Sequence, residues 1–298
     1  MVHGLILPKR PALSAAAYRK IWTERGSPLL FHLEDLTNKV QQQLGSGWIV
    51  KAGMRYGEPS LEKVLLEFKA EEIESLVVLP LYPQYSLAAT ESSVQQINKI
   101  AAQILPALTI EYVPPFYSES DFIRSFASVA QESLKEWPFD HVLMSFHGLP
   151  ERQVKKTSTQ CFTEKGCCEG ISHLNQNCYR AQCYTTARLL ATEMRLRPDQ
   201  YTVCFQSRLG RTPWIQPYTD YFYRELPKQG VKRLAVLCPA FVADCLETLE
   251  EVQIRGKEEF VRNGGEDLKL VPSLNSSQNW AESVSKMILT RSEKAMIS

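Results

Sequence analysis

The stretch Val142-Leu143-Met144-Ser145-Phe146-His147-Gly148-Leu149-Pro150 constrains this chain more than any other. It is a short, mostly apolar run that stops abruptly at a histidine, with Gly148 and Pro150 just beyond. A run of this kind suits a strand buried on both faces, as the strands of parallel sheets are. Glycine and proline then force a turn. Ligands of open parallel sheets bind beyond the carboxyl ends of the strands. A histidine at such an end can take or give a proton near neutral pH. The same residue also reads as an ordinary loop histidine facing water.

The pattern repeats along the chain. Strands are expected over residues 48–56, 76–82, 108–113, from 141, over 201–205, 233–238 and 268–272. Helices are expected over 12–25, 30–44, from a cap at Ser60, and over 92–104, 121–137, 180–196, 219–226, 244–263 and 278–290. Strands alternating with helices predict an α/β fold of right-handed βαβ units, with parallel sheets flanked by helices. Two such sets fall before and after about residue 135. The 298 residues, 44% hydrophobic and 22% charged, suffice for one or two globular domains with a sizeable core.

A net charge of +1 suggests neither a nucleic-acid surface nor an acidic tail. No apolar run approaches the ~20 residues of a membrane span. The opening Met1-Val2-His3-Gly4-Leu5-Ile6-Leu7-Pro8-Lys9-Arg10 places apolar residues before charges, the reverse of a secretory signal. A cytoplasmic protein is therefore expected, with its thiols reduced. Of the eight cysteines, Cys161, Cys167, Cys168, Cys178 and Cys183 fall in one short segment, while Cys204, Cys238 and Cys245 are scattered. In a reducing compartment the clustered set reads as metal or cofactor ligands rather than disulfides.

Several strand ends carry functional groups: Arg55 and Tyr56; Tyr82, Tyr85 and Ser86; His147; Gln206, Ser207 and Arg208. On parallel sheets these ends share a rim and can converge on a cleft. Tyrosines and serines there suit a flat aromatic ligand with peripheral acid groups, although strand ends are also polar simply because they meet water. The acidic run Asp244-Cys245-Leu246-Glu247-Thr248-Leu249-Glu250-Glu251 opens a helix, with Glu247 and Glu251 on one face. Asp244 and Glu247 have the spacing of a capping box, and acids in a first turn favour the helix dipole. Alternatively Glu247 points into the cleft opposite His147, where a carboxylate takes protons or holds a divalent cation. No G-x-G-x-x-G or Walker-type loop follows a strand, which argues against nucleotide binding.

Five stretches, in order, resemble ferrochelatase, the enzyme that inserts ferrous iron into a porphyrin. They are Met54-Arg55-Tyr56-Gly57-Glu58-Pro59-Ser60; Leu79-Pro80-Leu81-Tyr82-Pro83-Gln84-Tyr85-Ser86; Ser145-Phe146-His147-Gly148-Leu149-Pro150; Gln206-Ser207-Arg208-Leu209-Gly210-Arg211-Thr212-Pro213-Trp214; and Ala243 to Glu251. Each alone is weak, but together they cover nearly the whole chain. The resemblance implies two Rossmann-like chelatase-type domains, residues 1–135 and 136–276, with a porphyrin cleft between them. It also implies that residues 277–298 form a helix returning to the first domain. His147 and Glu247 match the family's catalytic and metal-handling pair. Glu251 matches a second acid on a proton or metal path. Arg55, Tyr56, Tyr82, Tyr85, Ser86 and Trp214 match the surroundings of the macrocycle.

The implied reaction is insertion of Fe²⁺ into protoporphyrin IX to give protohaem, the last step of haem synthesis. Alternatives of the same likeness are a chelatase for coproporphyrin or another tetrapyrrole or metal, and a non-catalytic porphyrin or haem carrier. Porphyrin and ferrous iron are the implied partners, with peripheral membrane contact because porphyrins dissolve poorly. The family's opening strand, of the pattern Leu-Leu-Asn-Leu-Gly, has no match here, and a misassigned start is expected because a missing inner strand leaves an unpaired edge. Residues 160–183 are extra relative to the smallest members and resemble the cysteine-bearing segment of ferrochelatases with a [2Fe–2S] cluster. Four thiolates hold such a cluster, expected from Cys161, Cys178, Cys183 and one of Cys167 and Cys168. A zinc site, with His173 as a further ligand, is the rival.

Overall fold

A computed structural model describes residues 10–158 and 166–297. Helices α1 (Arg10–Ile21), α2 (Pro28–Leu44) and α3 (Leu61–Ala70) precede strand β1 (Ser75–Val78). A π-helical turn, Leu87–Glu91, runs into α4 (Ser92–Ile104), followed by β2 (Thr109–Tyr112) and α5 (Ser120–Leu134). Then come β3 (His141–His147), α6 (Glu151–Lys155), α7 (Tyr179–Glu193), β4 (Tyr201–Gln206), α8 (Thr219–Glu225) and β5 (Arg233–Leu237). A second π-helix, Leu246–Gly256, runs into α9 (Lys257–Arg262), and β6 (Asp267–Leu270) and α10 (Gln278–Ile297) complete the order.

The strands form two parallel sheets. β1 pairs with β2, from Ser75 against Thr109 to Val78 against Tyr112. The other sheet has the order β4-β3-β5-β6, all parallel. β3 is mostly apolar because both its faces are covered. Val142, Met144 and Phe146 belong to the core built with α5, α7 and α10, whereas Leu143 points to the opposite core with Tyr223, Val252 and Phe260. That is the two-residue alternation of a pleated strand. Ser145 shares the second face and is fully buried, its hydroxyl bonded to Gln206 and Thr219.

The last helix packs on α2, α5 and the β1–β2 sheet. Its Trp280 is fully buried, with ring centroids 5.7 Å from Phe116 and 5.9 Å from Phe122. Among the described residues no helix is long and apolar enough to cross a membrane.

Two expected elements differ. Residues 48–56 form no strand. Their backbone is served instead by one side chain: Gln41 Nε2 donates to the Trp48 carbonyl (2.9 Å), and Val50 N–H donates to Gln41 Oε1 (2.8 Å). Only Met54 makes an isolated parallel bridge, to Ser60. A strand requires a neighbour, and among the described residues β1 pairs with β2 alone. The helix expected over 244–263 starts later and is π-helical over most of its length. Its first residue is Leu246, which leaves Asp244 outside it.

Candidate active site

His147 ends β3 and lies in register with Gln206, which ends β4. The two strand ends are clamped: Gly148 N–H donates to the Gln206 carbonyl at 2.8 Å. A Cβ at position 148 would lie 2.7 Å from that oxygen and 3.2 Å from the Trp214 ring, so only glycine fits there. The His147 Nδ1 is 2.6 Å from the Gly148 carbonyl. A carbonyl only accepts, so Nδ1 carries a hydrogen, and in the neutral imidazole Nε2 is the acceptor. Trp214 and Phe241 flank the imidazole, with centroids 6.5 and 6.1 Å away. The Tyr179 hydroxyl donates to the His147 carbonyl (2.8 Å), and burial pushes that phenol well up, keeping it a donor.

Glu247 lies in the first turn of the π-helix. Its carbonyl accepts from Gln206 Nε2 at 2.8 Å. Its side chain and His147 line the same cavity, of about 1550 Å³, together with Arg55, Tyr56, Tyr82 and Ser86. That exceeds the roughly 300–1,000 Å³ of ordinary ligand pockets, so a large ligand fits. The buried Cys245 thiol is pushed well up by desolvation and then by the Glu247 charge. Burial and the same carboxylate raise Tyr18, another cavity residue.

The capping box expected of Asp244 and Glu247 is made by Cys245 and Thr248 instead, with Cys245 N–H donating to Thr248 Oγ1 at 3.0 Å. Asp244, outside the helix, ties loops together: Oδ1 accepts from Thr248 Oγ1 (3.0 Å) and Oδ2 from Asn275 Nδ2 (2.8 Å). Glu247 is thereby left free of capping and turned to the cavity.

Three of the expected residues stand behind the wall rather than on it. Glu251 accepts from Ser207 N–H (2.8 Å) and from the Ser207 hydroxyl (2.6 Å), so both its oxygens are engaged. They hold Ser207 at φ 64°, a left-handed conformation that is strained for a non-glycine residue. Tyr85 donates to Glu91 (3.1 Å), and burial together with that carboxylate pushes its phenol up to about 12. Trp214 backs the histidine ring, its Nε1 donating to the Leu209 carbonyl.

On the opposite wall, Ser86 caps the first π-turn through Ala89 N–H (3.1 Å). Arg55 donates to Ser92 Oγ (3.3 Å) and lies over the exposed Tyr56 ring. Sequence reasoning passed over His32, which lines the cavity with a buried, unpartnered Nδ1. Burial lowers its pKa against the pull of Asp244. No local motif marks His32, Tyr179 or Phe241; only the tertiary fold brings them to the site.

In the cysteine segment, Cys161 lies outside the described residues. Cys168, Cys178 and Cys183 are buried and Cys167 is partly so, with 3.8 Å between the sulfurs of Cys167 and Cys168. Arg180 Nη1 donates to Cys168 Sγ at 3.0 Å. Burial pushes Cys168 up to about 11 against that guanidinium, and Cys183 well up, further raised by the neighbouring Cys178 and Cys168. Among the described residues no group of three or more His, Cys, Asp or Glu side chains could hold a metal ion. His173 joins no such group.

Comparison with known proteins adds three findings. The family model described as Ferrochelatase matches residues 1–292. A ferrochelatase of Coxiella burnetii is 45% identical over 289 residues, 96% of this chain and 80% of the relative. One of Legionella pneumophila is 44% identical over 290 residues, 97% of this chain and 86% of the relative. Among solved structures, SirB from Bacillus subtilis with Fe³⁺ superposes with a TM-score of 0.58 at 14% identity, covering 90% of this chain and 91% of that one. CbiX, the terminal enzyme for biosynthesis of sirohaem in denitrifying bacteria, gives 0.54 at 15% identity, covering 89% and 94%. At those identities the likeness is one of fold: α/β, with parallel sheets flanked by helices.

Proposed function

The chain belongs to the ferrochelatase family, and on that premise we propose that its cavity binds protoporphyrin IX and inserts ferrous iron to give protohaem. The observation that carries this is that His147 and Glu247 line one cavity, with the His147 Nδ1 already engaged by the Gly148 carbonyl. Insertion exchanges two pyrrole N–H protons for one Fe²⁺. His147 Nε2 takes one proton from a pyrrole nitrogen and the second leaves to water, and each nitrogen's electron pair stays behind to bind the metal. The Glu247 carboxylate offsets the charge of Fe²⁺ as it loses water. Glu251 continues the acidic line away from the ring, its carboxylate on Ser207.

Arg55, Tyr56, Tyr82 and Ser86 form the wall that receives the macrocycle and its acid groups, with Tyr85 and Trp214 supporting from behind. The cleft then lies between α/β units of residues 1–135 and 136–276, with 277–298 returning to the first. Trp22 and Tyr56, exposed on the cavity lining, support uptake of a poorly soluble porphyrin from a membrane surface of the cytoplasm.

The thiols match a [2Fe–2S] group in donor type alone: among the described residues no three ligands are gathered for a metal, and burial raises Cys168 and Cys183 against the thiolate form such a cluster needs. The four thiolates would come from Cys161, Cys178, Cys183 and one of Cys167 and Cys168. The cluster would contribute one-electron redox chemistry, and no step of the insertion depends on it.

The test is anaerobic incubation with Fe²⁺ and protoporphyrin IX, with coproporphyrin III in parallel, followed by loss of porphyrin fluorescence and growth of haem absorption. Turnover of protoporphyrin is expected. Preferential turnover of coproporphyrin would reassign the substrate, and binding of either without insertion would make this a carrier.

A further inference from the structure

We propose that Gln206 is a positioning residue that sets the gap between His147 and Glu247. This rests on the cavity being a metal-insertion site.

Gln206 is 3% exposed and holds a backbone group on each side of the gap. Its carbonyl accepts from Gly148 N–H, next to His147, and its side-chain Nε2 donates to the carbonyl of Glu247 itself, both at 2.8 Å. The orientation of the amide follows from its partners. A carbonyl only accepts, so nitrogen faces Glu247 and oxygen faces inward.

There Oε1 accepts from Ser145 Oγ (2.7 Å) and Cys238 Sγ (3.6 Å). Ser145 spends its one hydrogen on Oε1, so Thr219 Oγ1, at 2.8 Å, must donate to it. A directed chain results: Thr219 to Ser145, Ser145 to Gln206, Gln206 to Glu247. All three side chains are at least 97% buried, at 3%, 0% and 3% exposure.

A buried polar network with every member satisfied specifies a single geometry. What an apolar side chain cannot supply is a donor at one end and an acceptor at the other. On the cavity side the amide's nitrogen falls on the turn that carries Glu247. In the closed reaction geometry a displacement of about 1 Å costs on the order of 10²-fold in rate.

The experiment measures steady-state metal insertion, porphyrin affinity by fluorescence quenching, and thermal midpoint for wild type, Gln206→Met and Ser145→Ala. Gln206→Met should lower kcat for Fe²⁺ about tenfold or more while KM and Kd for porphyrin stay within about twofold. Its ratio of Zn²⁺ to Fe²⁺ insertion should change by at least about threefold, because the gap that handles the metal has changed. Ser145→Ala, which keeps the amide but frees its inner end, should shift kcat and metal ratio in the same direction by less. It also carries the test should Gln206→Met not fold. The inference is overturned if kcat and the metal ratio stay at wild-type values, or if kcat falls only in step with the thermal midpoint. An inactive wild type would instead sink the reading of the cavity itself, so the two failures are distinct.

Discussion

The two walls of the cavity are built in opposite ways. On the β3–β4 side each functional group is tied by buried partners. His147 is fixed through Gly148 and Tyr179, Glu247 through Gln206, and Ser207 through Glu251. On the β1 side Arg55 rests on one 3.3 Å hydrogen bond and a stacked ring that is 74% exposed. The difference teaches a division of labour. Proton and metal transfer demand positions held within a fraction of an ångström. Receiving a broad ligand demands area and charge, which a softer wall can supply.

The comparison can be broken from the rigid side first. His147→Ala should lower kcat for iron insertion by about 10²–10⁴-fold, the usual worth of a positioned acid–base group, with porphyrin fluorescence quenching retained. Glu247→Gln keeps the shape and the backbone bond to Gln206 but loses the charge. It should cost on the order of 10–10²-fold in kcat, measured at saturating porphyrin. On the soft side, Arg55→Ala should raise porphyrin KM about three- to tenfold and leave kcat near wild type. A large kcat loss there would erase the distinction between the walls.

Two smaller effects sharpen it. Glu251→Gln removes charge-assisted hydrogen bonds from Ser207 and should lower unfolding stability in urea by about 1–3 kcal/mol, with kcat within about tenfold of wild type. The smallest effect lies far from the cavity. The Lys286 hydrogen bond, with Arg124 adding to it, holds the Asp121 carboxyl below its usual range. A depressed acid contributes stability above its unfolded pKa of about 3.9 and loses it as pH falls through the lower folded value. Asp121→Asn should therefore flatten the acid limb of the stability curve below about pH 4, by roughly 0.2–1 kcal/mol for so exposed a pair.

The same contrast governs what was legible in the sequence. β3 could be read because burial on both faces writes a mostly apolar run, and its end could be read because Gly148 and Pro150 punctuate it. That His147 and Glu247 would face one cavity could be read from the motifs around them. Residues 48–56 look like a strand, yet a ladder needs a neighbour, and propensity cannot supply one. Nothing in the run from Leu246 to Gly256 announces a π-helix, whose wider turn moves the cap from Asp244 to Cys245. His32, Tyr179 and Phe241 reach the site only through packing of distant segments. The roles of Gln206 and Glu251 were hidden for a related reason: each lies in hydrogen bonds between elements some 40 residues apart.

The most direct test of the central claim is the iron-insertion rate of the double variant His147→Ala/Glu247→Gln beside the two single ones. If the imidazole and the carboxylate serve one transfer across one slot, the double variant should fall little below the worse single variant, as groups acting as a unit do. Losses that multiply would mean that the two residues act in separate steps, and that account of the cavity would be wrong.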